Sequence, residues 1–183
     1  MVTTGKVDLL YKGGGPNVPT LYLLTGVRAE GGAMSEANKE LVRRHFEEIF
    51  NHQKQAACDE SIAQDFFEHA AAPFAAPAPG RVNGPAAMHA TVQWLLAQFP
   101  DLQMTIEAMV AEEDLVAVRI LSEGTNLGAF NGVIPPTGKH FVARQSHWFR
   151  IADNQLAEHW ATREDLVAML QLGILQPPGG PIS

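Results

Sequence analysis

The stretch His140-Phe-Val-Ala-Arg-Gln-Ser-His-Trp-Phe-Arg-Ile151 alternates between two unlike faces. Successive side chains of a strand point to opposite sides. Phe141, Ala143, Gln145, His147, Phe149 and Ile151 therefore share one face, and His140, Arg144, Ser146, Trp148 and Arg150 share the other. The first set is far more apolar and is expected to face a core. It carries an amide and an imidazole, Gln145 and His147, into a greasy surface. A buried polar group without a partner costs about 1–3 kcal/mol. A bond between the two, to backbone or to trapped water would offset that cost, and so would a ligand. Two polar residues at spacing two, beside a second inward histidine, favour the ligand.

The second histidine comes from the return strand Leu156-Ala-Glu-His-Trp-Ala-Thr162. A three-residue connection centred on Asp153 sets His147 opposite His159 and Gln145 opposite Ala161. A two-residue Asp153-Asn154 turn shifts the register by one and brings Glu158 and Trp160 inward instead. Both registers fit the sequence.

Period two begins near Asp101, with Leu102, Met104, Ile106 and Ala108 alternating, a turn at Glu112-Glu113-Asp114, and an apolar run from Leu115 to Glu123. Gly124 to Gly138 is a long glycine and proline loop. Upstream the period is helical. Ser35 to about Gln53 reads as a helix capped by Ser35, with Leu41, Val42, Phe46, Ile49 and Phe50 on one face and His45 on the same stripe. A short helix is expected over Asp59 to Gln64, ahead of Phe66-Phe67-Glu68-His69. Ala70 to Arg81 is a surface loop. Gly84-Pro85 opens a third helix with Met88, Val92, Leu95, Leu96 and Phe99 buried, and Trp94 off that stripe. A last helix covers about Arg163 to Leu172, ended by Gly173. Helices first and antiparallel strands afterwards predict an α+β fold.

The chain divides into a glycine-rich extension over 1–33, a patterned domain over 34–176 and a tail over 177–183. The extension is either an added arm or holds an edge strand at Leu21 to Thr25. The apolar run Val18 to Val27 is too short to span a bilayer and is broken by Pro19. With 183 residues and a net charge of −7, the chain has room for a core and lacks the basic footprint of a nucleic-acid or membrane-surface binder. Its single cysteine, Cys58, forms no intrachain disulfide and reads as a small filler, which suits a reducing, cytoplasmic setting. Gly13-Gly14-Gly15 lacks the strand–turn–helix context of a phosphate loop, and the seven histidines show no metal-ligand spacing. No cofactor and no metal are expected.

Three segments carry a likeness. Phe99-Pro-Asp-Leu-Gln103, Gly124-Thr125 through Ile134-Pro-Pro-Thr-Gly-Lys139, and Glu158-His-Trp160 through Leu170-Gln-Leu-Gly173 resemble the SnoaL-like polyketide (ester) cyclases of the nuclear-transport-factor-2-like superfamily. The likeness covers about residues 35–175. It implies a cone of three to four helices packed on a strongly curved, mostly antiparallel sheet around an apolar pocket, in a homodimer, with cofactor-free chemistry. The family's pocket glutamine and histidine match Gln145 and His147. Its general base is an aspartate directly after Glu-His-Trp, where this chain has Ala161, and its Gly-Thr-His loop motif reads Gly-Thr-Asn126 here.

The resemblance thus implies acid/base chemistry on a small apolar carbonyl compound. His147 would act as acid/base and Gln145 as donor, with His159 or Glu158 completing the site. Phe66, Phe67, Trp94, Phe141 and Phe149 would hold the substrate, with His69 beside them. A binding protein that kept the pocket and lost the base is the alternative, and a dehydratase or hydrolase on the same fold a further one. The only tyrosines, Tyr11 and Tyr22, lie in the extension and give the core no phenolic partner.

Overall fold

In this computed structural model residues 28–54, 56–70, 73–75, 84–176 and 179 are described. Helix α1 (Arg28–Arg44) continues directly into a π-helical segment, His45–Asn51. Ser35 lies inside α1 and does not cap it. The π-helical winding keeps His45, Phe46, Ile49 and Phe50 buried together. A short α2 (Ala56–Ser61) then passes without a break into strand β1 (Ile62–Glu68). The helix expected over Asp59 to Gln64 stops at Ser61, because β-branched Ile62 and the Phe66-Phe67 pair suit extended chain once a neighbouring strand is there to pair with it. Cys58, on α2, is fully buried, and burial pushes its thiol up to about 11, so it packs as an inert filler.

Helix α3 (Pro85–Gln98) starts where Gly84-Pro85 places it. Gly84 sits at φ 74°, and a Cβ there would lie 2.5 Å from the Gln64 carbonyl oxygen, so no other residue fits without displacement. Strands β2 (Gln103–Glu112), β3 (Leu115–Thr125), β4 (His140–Ala152) and β5 (Gln155–Arg163) pair antiparallel in succession, and β1 pairs parallel with β5. The sheet order is β1-β5-β4-β3-β2, open at both edges. Helix α4 (Asp165–Gln171) closes the domain. Among the described residues four α-helices on one mixed sheet make the α+β architecture that the patterning predicts. Phe46, Phe66, Phe99, Phe130, Phe141 and Phe149 are almost without solvent contact and form the centre of the core.

Register shifts shape the sheet at three places: in β1 between Ile62 and Phe67, and at single-residue bulges in β2 and β5 that bend and twist their strands. In β2 the extra residue is Glu107, so Ala108 turns out and Met109 and Ala111 pack on the core. The Glu107 carboxylate is tied to Arg119 (2.8 Å) and Arg144 (3.4 Å). In β5 the extra residue is Ala157. The hairpin before it is a two-residue turn with Asp153 and Asn154 at φ 50° and 59°, the left-handed pair that a type I′ turn requires. Alone, this turn would bring Glu158 and Trp160 inward. The bulge resets the parity, so Phe149 faces His159, His147 faces Ala161 and Gln145 faces Arg163. His159 thus points inward, two residues away from the partner that a three-residue turn gives it.

The Gly124–Gly138 loop is clamped to the end of α3. The Gln98 carbonyl, one of the acceptors a helix end leaves unpaired, accepts from Leu127 and Gly128 N–H (3.1 Å each). Gln98 Oε1 accepts from Asn131 N–H (2.8 Å). Asn126 is fully buried; its amide donates to the Gly128 carbonyl (2.8 Å) and accepts from Thr137 N–H (2.9 Å). Asn126 therefore braces the loop. Residues 1–27, with both tyrosines and the proposed edge strand, lie outside the described residues, as do residues 71–72 and 76–83 of the expected surface loop and the tail apart from Gly179. Among the described residues no helix is long and apolar enough to cross a membrane.

Candidate functional site

Between the π-helical segment and the inner face of the sheet lies a cavity of about 510 Å³, within the range of small-molecule sites. Phe46, Phe50, Leu95, Leu102, Met104 and Phe141 give it apolar walls, and Gln145, His147, His159 and Arg163 form a polar strip along β4 and β5.

That strip is one hydrogen-bonded chain. His147 Nε2 lies 2.8 Å from Gln145 Oε1, and His147 Nδ1 lies 2.8 Å from His159 Nε2. His159 Nδ1 lies 2.7 Å from Glu68 Oε2. Strand alternation puts Gln145 and His147 on one face, and the Ala157 bulge adds His159. The parallel β1–β5 pairing sets Glu68 beside His159 in the ladder. The rings of His147, Phe149 and His159 stack nearly parallel, with His159 centred 4.6 Å from Phe149 and 5.1 Å from His147. The side chain of His159 is 8% exposed and that of Glu68 40%, so the chain runs from solvent to the cavity wall.

One placement of protons satisfies the three contacts as they stand. For His147 Nε2 to donate to Gln145 Oε1, the hydrogen is on Nε2 and Nδ1 is bare. Nδ1 then accepts from His159 Nε2–H, and His159 Nδ1–H donates to the Glu68 carboxylate. All three bonds are made when His159 holds both ring protons and His147 is neutral. Burial first, then the charges of His159 and Arg163, hold His147 well below the usual histidine range, in keeping with its neutral form. Removing one proton reverses the polarity. His147 Nδ1–H then donates to His159, Nε2 carries a bare lone pair, and Gln145 turns its NH₂ toward it. With the extra proton the chain is an acid at His147; without it, a base.

A second polar group lies at the mouth. His69 Nε2 is 2.6 Å from Glu158 Oε2, Glu158 Oε1 is 2.5 Å from Arg150 Nε, and His69 stacks on Trp160 at 4.4 Å. The His69 bond, then Arg150, hold the Glu158 carboxyl below its ordinary range. Glu158 is thus committed to the mouth, on the other side of its strand from His147.

The structure brings Gln145, His147 and His159 together, and Phe67, His69 and Phe141 also line the cavity. Phe66, Trp94 and Phe149 do not. Phe66 takes the buried parity of β1 and Phe149 lies within the core against the stacked histidines, both almost solvent-free. Trp94, partly buried, packs against Phe74 at 6.4 Å. Four ionisable lining residues escape the sequence reading as site groups: Glu68, Arg163, His45 and Asp165. Glu68 becomes visible only once β1 is known to pair with β5. Arg163 is the last residue of β5, and its place depends on the bulge. His45 is marked only by being a histidine on an apolar helical stripe. Among the described residues no group of three or more His, Cys, Asp or Glu is arranged to hold a metal ion.

The family model for SnoaL-like polyketide cyclases matches residues 40–172. The chain belongs to this family. IdmH, a proposed polyketide cyclase from Streptomyces antibioticus, is 29% identical, covers 74% of this chain and 98% of its own, and superposes with a TM-score of 0.64. A proposed SnoaL-like polyketide cyclase from Jannaschia sp. CCS1 is 26% identical over 79% of this chain and 95% of its own, with a TM-score of 0.65. AclR from Streptomyces galilaeus, a proposed hydroxylase, is 25% identical over 80% and 87%, also at 0.65. The fold is therefore the nuclear-transport-factor-2-like one. No relative was found among curated protein sequences.

Proposed function

We propose that this chain is an acid–base enzyme acting on a small apolar carbonyl compound, with His147 as the proton-transferring group and His159 and Glu68 in support. The hydrogen-bonded chain from Glu68 through His159 and His147 to Gln145, ending at an apolar cavity, carries the reading. Short of one proton, His147 Nε2 removes a hydrogen α to the carbonyl. The C–H electron pair becomes an enolate. The hydrogen already on His147 Nδ1 passes to His159, whose charge rests against Glu68, at the solvent end. The enolate oxygen is met by the Gln145 amide and by Arg163, across from Gln145 in the ladder, donors aimed where charge develops. Closure of the enolate onto a second carbonyl of the same molecule, with His147 returning the proton to the new alkoxide, is the cyclase outcome that family membership suggests. A positioned base contributes about 10²–10⁴-fold, which the histidine pair supplies where Ala161 has none.

Ala161 favours a second reading, a binding protein that kept the pocket and lost the base. Proton NMR in D₂O separates the two, with tetralone, a two-ring ketone, as probe. The enzyme reading expects deuterium to enter the α position faster than in buffer. It expects that gain to fall about 10²-fold or more in His147→Phe and Glu68→Gln, with tetralone affinity held within about twofold. Tetralone that binds wild type without exchanging supports the binding reading.

A further inference from the structure

Phe74 occupies a position that its backbone does not favour. It sits at φ 56° and ψ 26°, a left-handed conformation that is uncommon for any residue but glycine and an outlier for a bulky one. Such conformations persist where the surroundings over-determine them, and they cluster at active sites and ligand clamps. Here the residue is fastened at both its backbone and its ring. The Phe74 N–H donates to Asp165 Oδ2 (3.0 Å), ninety-one residues further along the chain. The ring packs against Trp94, Phe99, Phe130 and Phe141, with centroids 6.4, 5.7, 5.3 and 6.1 Å away. Phe74 is 7% exposed, and it and Asp165 both form part of the cavity wall.

Strand β4 shows which part of the wall this is. Phe141, Gln145 and His147 line the cavity along the inward face of the strand. His147 lies six residues beyond Phe141, about 20 Å of extended chain, and the Phe74 ring lies beside Phe141. Phe74 therefore stands at the end of the cavity remote from His147. A molecule whose carbonyl is held between Gln145 and His147 directs its far end at this wall, and it meets aromatic carbon there.

We infer that Phe74 is a specificity-determining residue whose ring ends the cavity and sets how far the apolar part of a ketone can extend away from the reacting carbonyl. The inference rests on the proposed carbonyl chemistry only for the end at which the carbonyl is held. The substrates are then ketones whose remote end is hydrocarbon and short enough to stop at Phe74.

Calorimetry with tetralones that carry unbranched alkyl chains of increasing length, on the ring remote from the carbonyl, tests this. Each methylene that is buried against an apolar wall tightens binding about fourfold. In wild type that gain should stop at one chain length. In Phe74→Gly, which removes the ring and suits the left-handed backbone, the gain should continue for about two further carbons. Unsubstituted tetralone should bind that variant within about twofold of wild type, because the change lies far from His147. Phe74→Trp, which fills more of the same end, should stop the gain about one carbon earlier than in wild type. Should Phe74→Gly fail to fold, the Phe74→Trp comparison decides alone. A gain that stops at the same length with and without the substitution, or that never stops in wild type, would overturn the inference. The series is read from binding alone, so tetralone that binds without α-exchange sinks the His147 reading and leaves this one standing. Failure of every member to bind wild type would refute the pocket reading, and this inference with it.

Discussion

Acid should destabilise this protein through its buried histidines, and His45→Phe isolates one of them. In the folded state burial takes His45 to about 3 and His147 well below the ordinary range. In the unfolded chain each returns to about 6.5. Above about pH 7 both states are neutral and the two groups contribute no pH dependence. As pH falls below about 6.5, the unfolded chain takes up protons that the folded chain refuses. Stability is then lost through both groups, with a limiting slope of about 1.4 kcal/mol per pH unit for His45. Across two pH units His45 alone removes about 2.5 kcal/mol, a large part of the stability of a marginal domain. The His45 share continues to grow until pH nears about 3, where the folded group itself protonates. His45→Phe deletes one titration and retains the contacts to Phe46, Phe50 and Phe149. Its stability relative to wild type should be flat above about pH 7 and rise by about 1.4 kcal/mol per pH unit between about pH 6 and about pH 4. Urea unfolding followed by tryptophan fluorescence at a series of pH values measures this directly, since midpoint and slope give the free energy. Two stability curves separated by a constant offset at every pH would refute the claim that His45 is buried in its neutral form.

Two further outcomes follow from the same geometry. Ala161→Asp sets a carboxylate directly across the ladder from His147 and should raise tetralone α-exchange about tenfold or more; an unchanged rate would show that the scaffold does not host a base at this position. Gly128→Ala should lower the melting temperature by roughly 10 °C, because its Cβ would lie 1.7 Å from the Ala97 carbonyl oxygen and the loop must leave α3. Differential scanning calorimetry checks the shift, and a change below about 2 °C would mean that the loop is not clamped at Gln98.

Where patterning had a strict period, the sequence was readable to the residue. The alternation of β4 predicts its inward face from Phe141 to Ile151, Gln145 and His147 included, because a strand buried on one face tolerates no slip. Asp153-Asn154 marks the turn, and Gly84-Pro85 marks the start of α3. Reading failed where an extra residue broke the period. Glu107 and Ala157 carry no chemical sign of being bulged, since a bulge is set by pairing across the sheet and not by its own side chain. The π-helical segment is hidden for a like reason: an apolar helical stripe looks the same whichever way it is wound. Glu68 was the costliest omission. Its role depends on a parallel contact between β1 and β5, ninety-one residues apart at the Glu68–His159 bond, and local sequence says nothing about such a pairing. Asn126 shows the reverse. The resemblance implied a histidine there, and the buried asparagine makes sense once its bonds to Gly128 and Thr137 are seen.

The bulge at Ala157 has a consequence for how such a site can change over generations. Chemistry here depends on which residue between the turn and His159 stands outside the ladder as much as on residue identity. A methyl group with nothing to donate or accept holds that place. Loss of Ala157 would leave Glu158 opposite Arg150 and His159 opposite Phe149, and the interior would be kept. Drawn flat into the ladder opposite Arg150, the same residue would exchange the two faces of β5 beyond the turn. The mouth pair, Glu158 and Trp160, would be delivered to the interior, with every residue still in the gene. A change in which residue is bulged is therefore the change to which this pocket is most exposed, and through it relatives with the same residues can acquire a different interior.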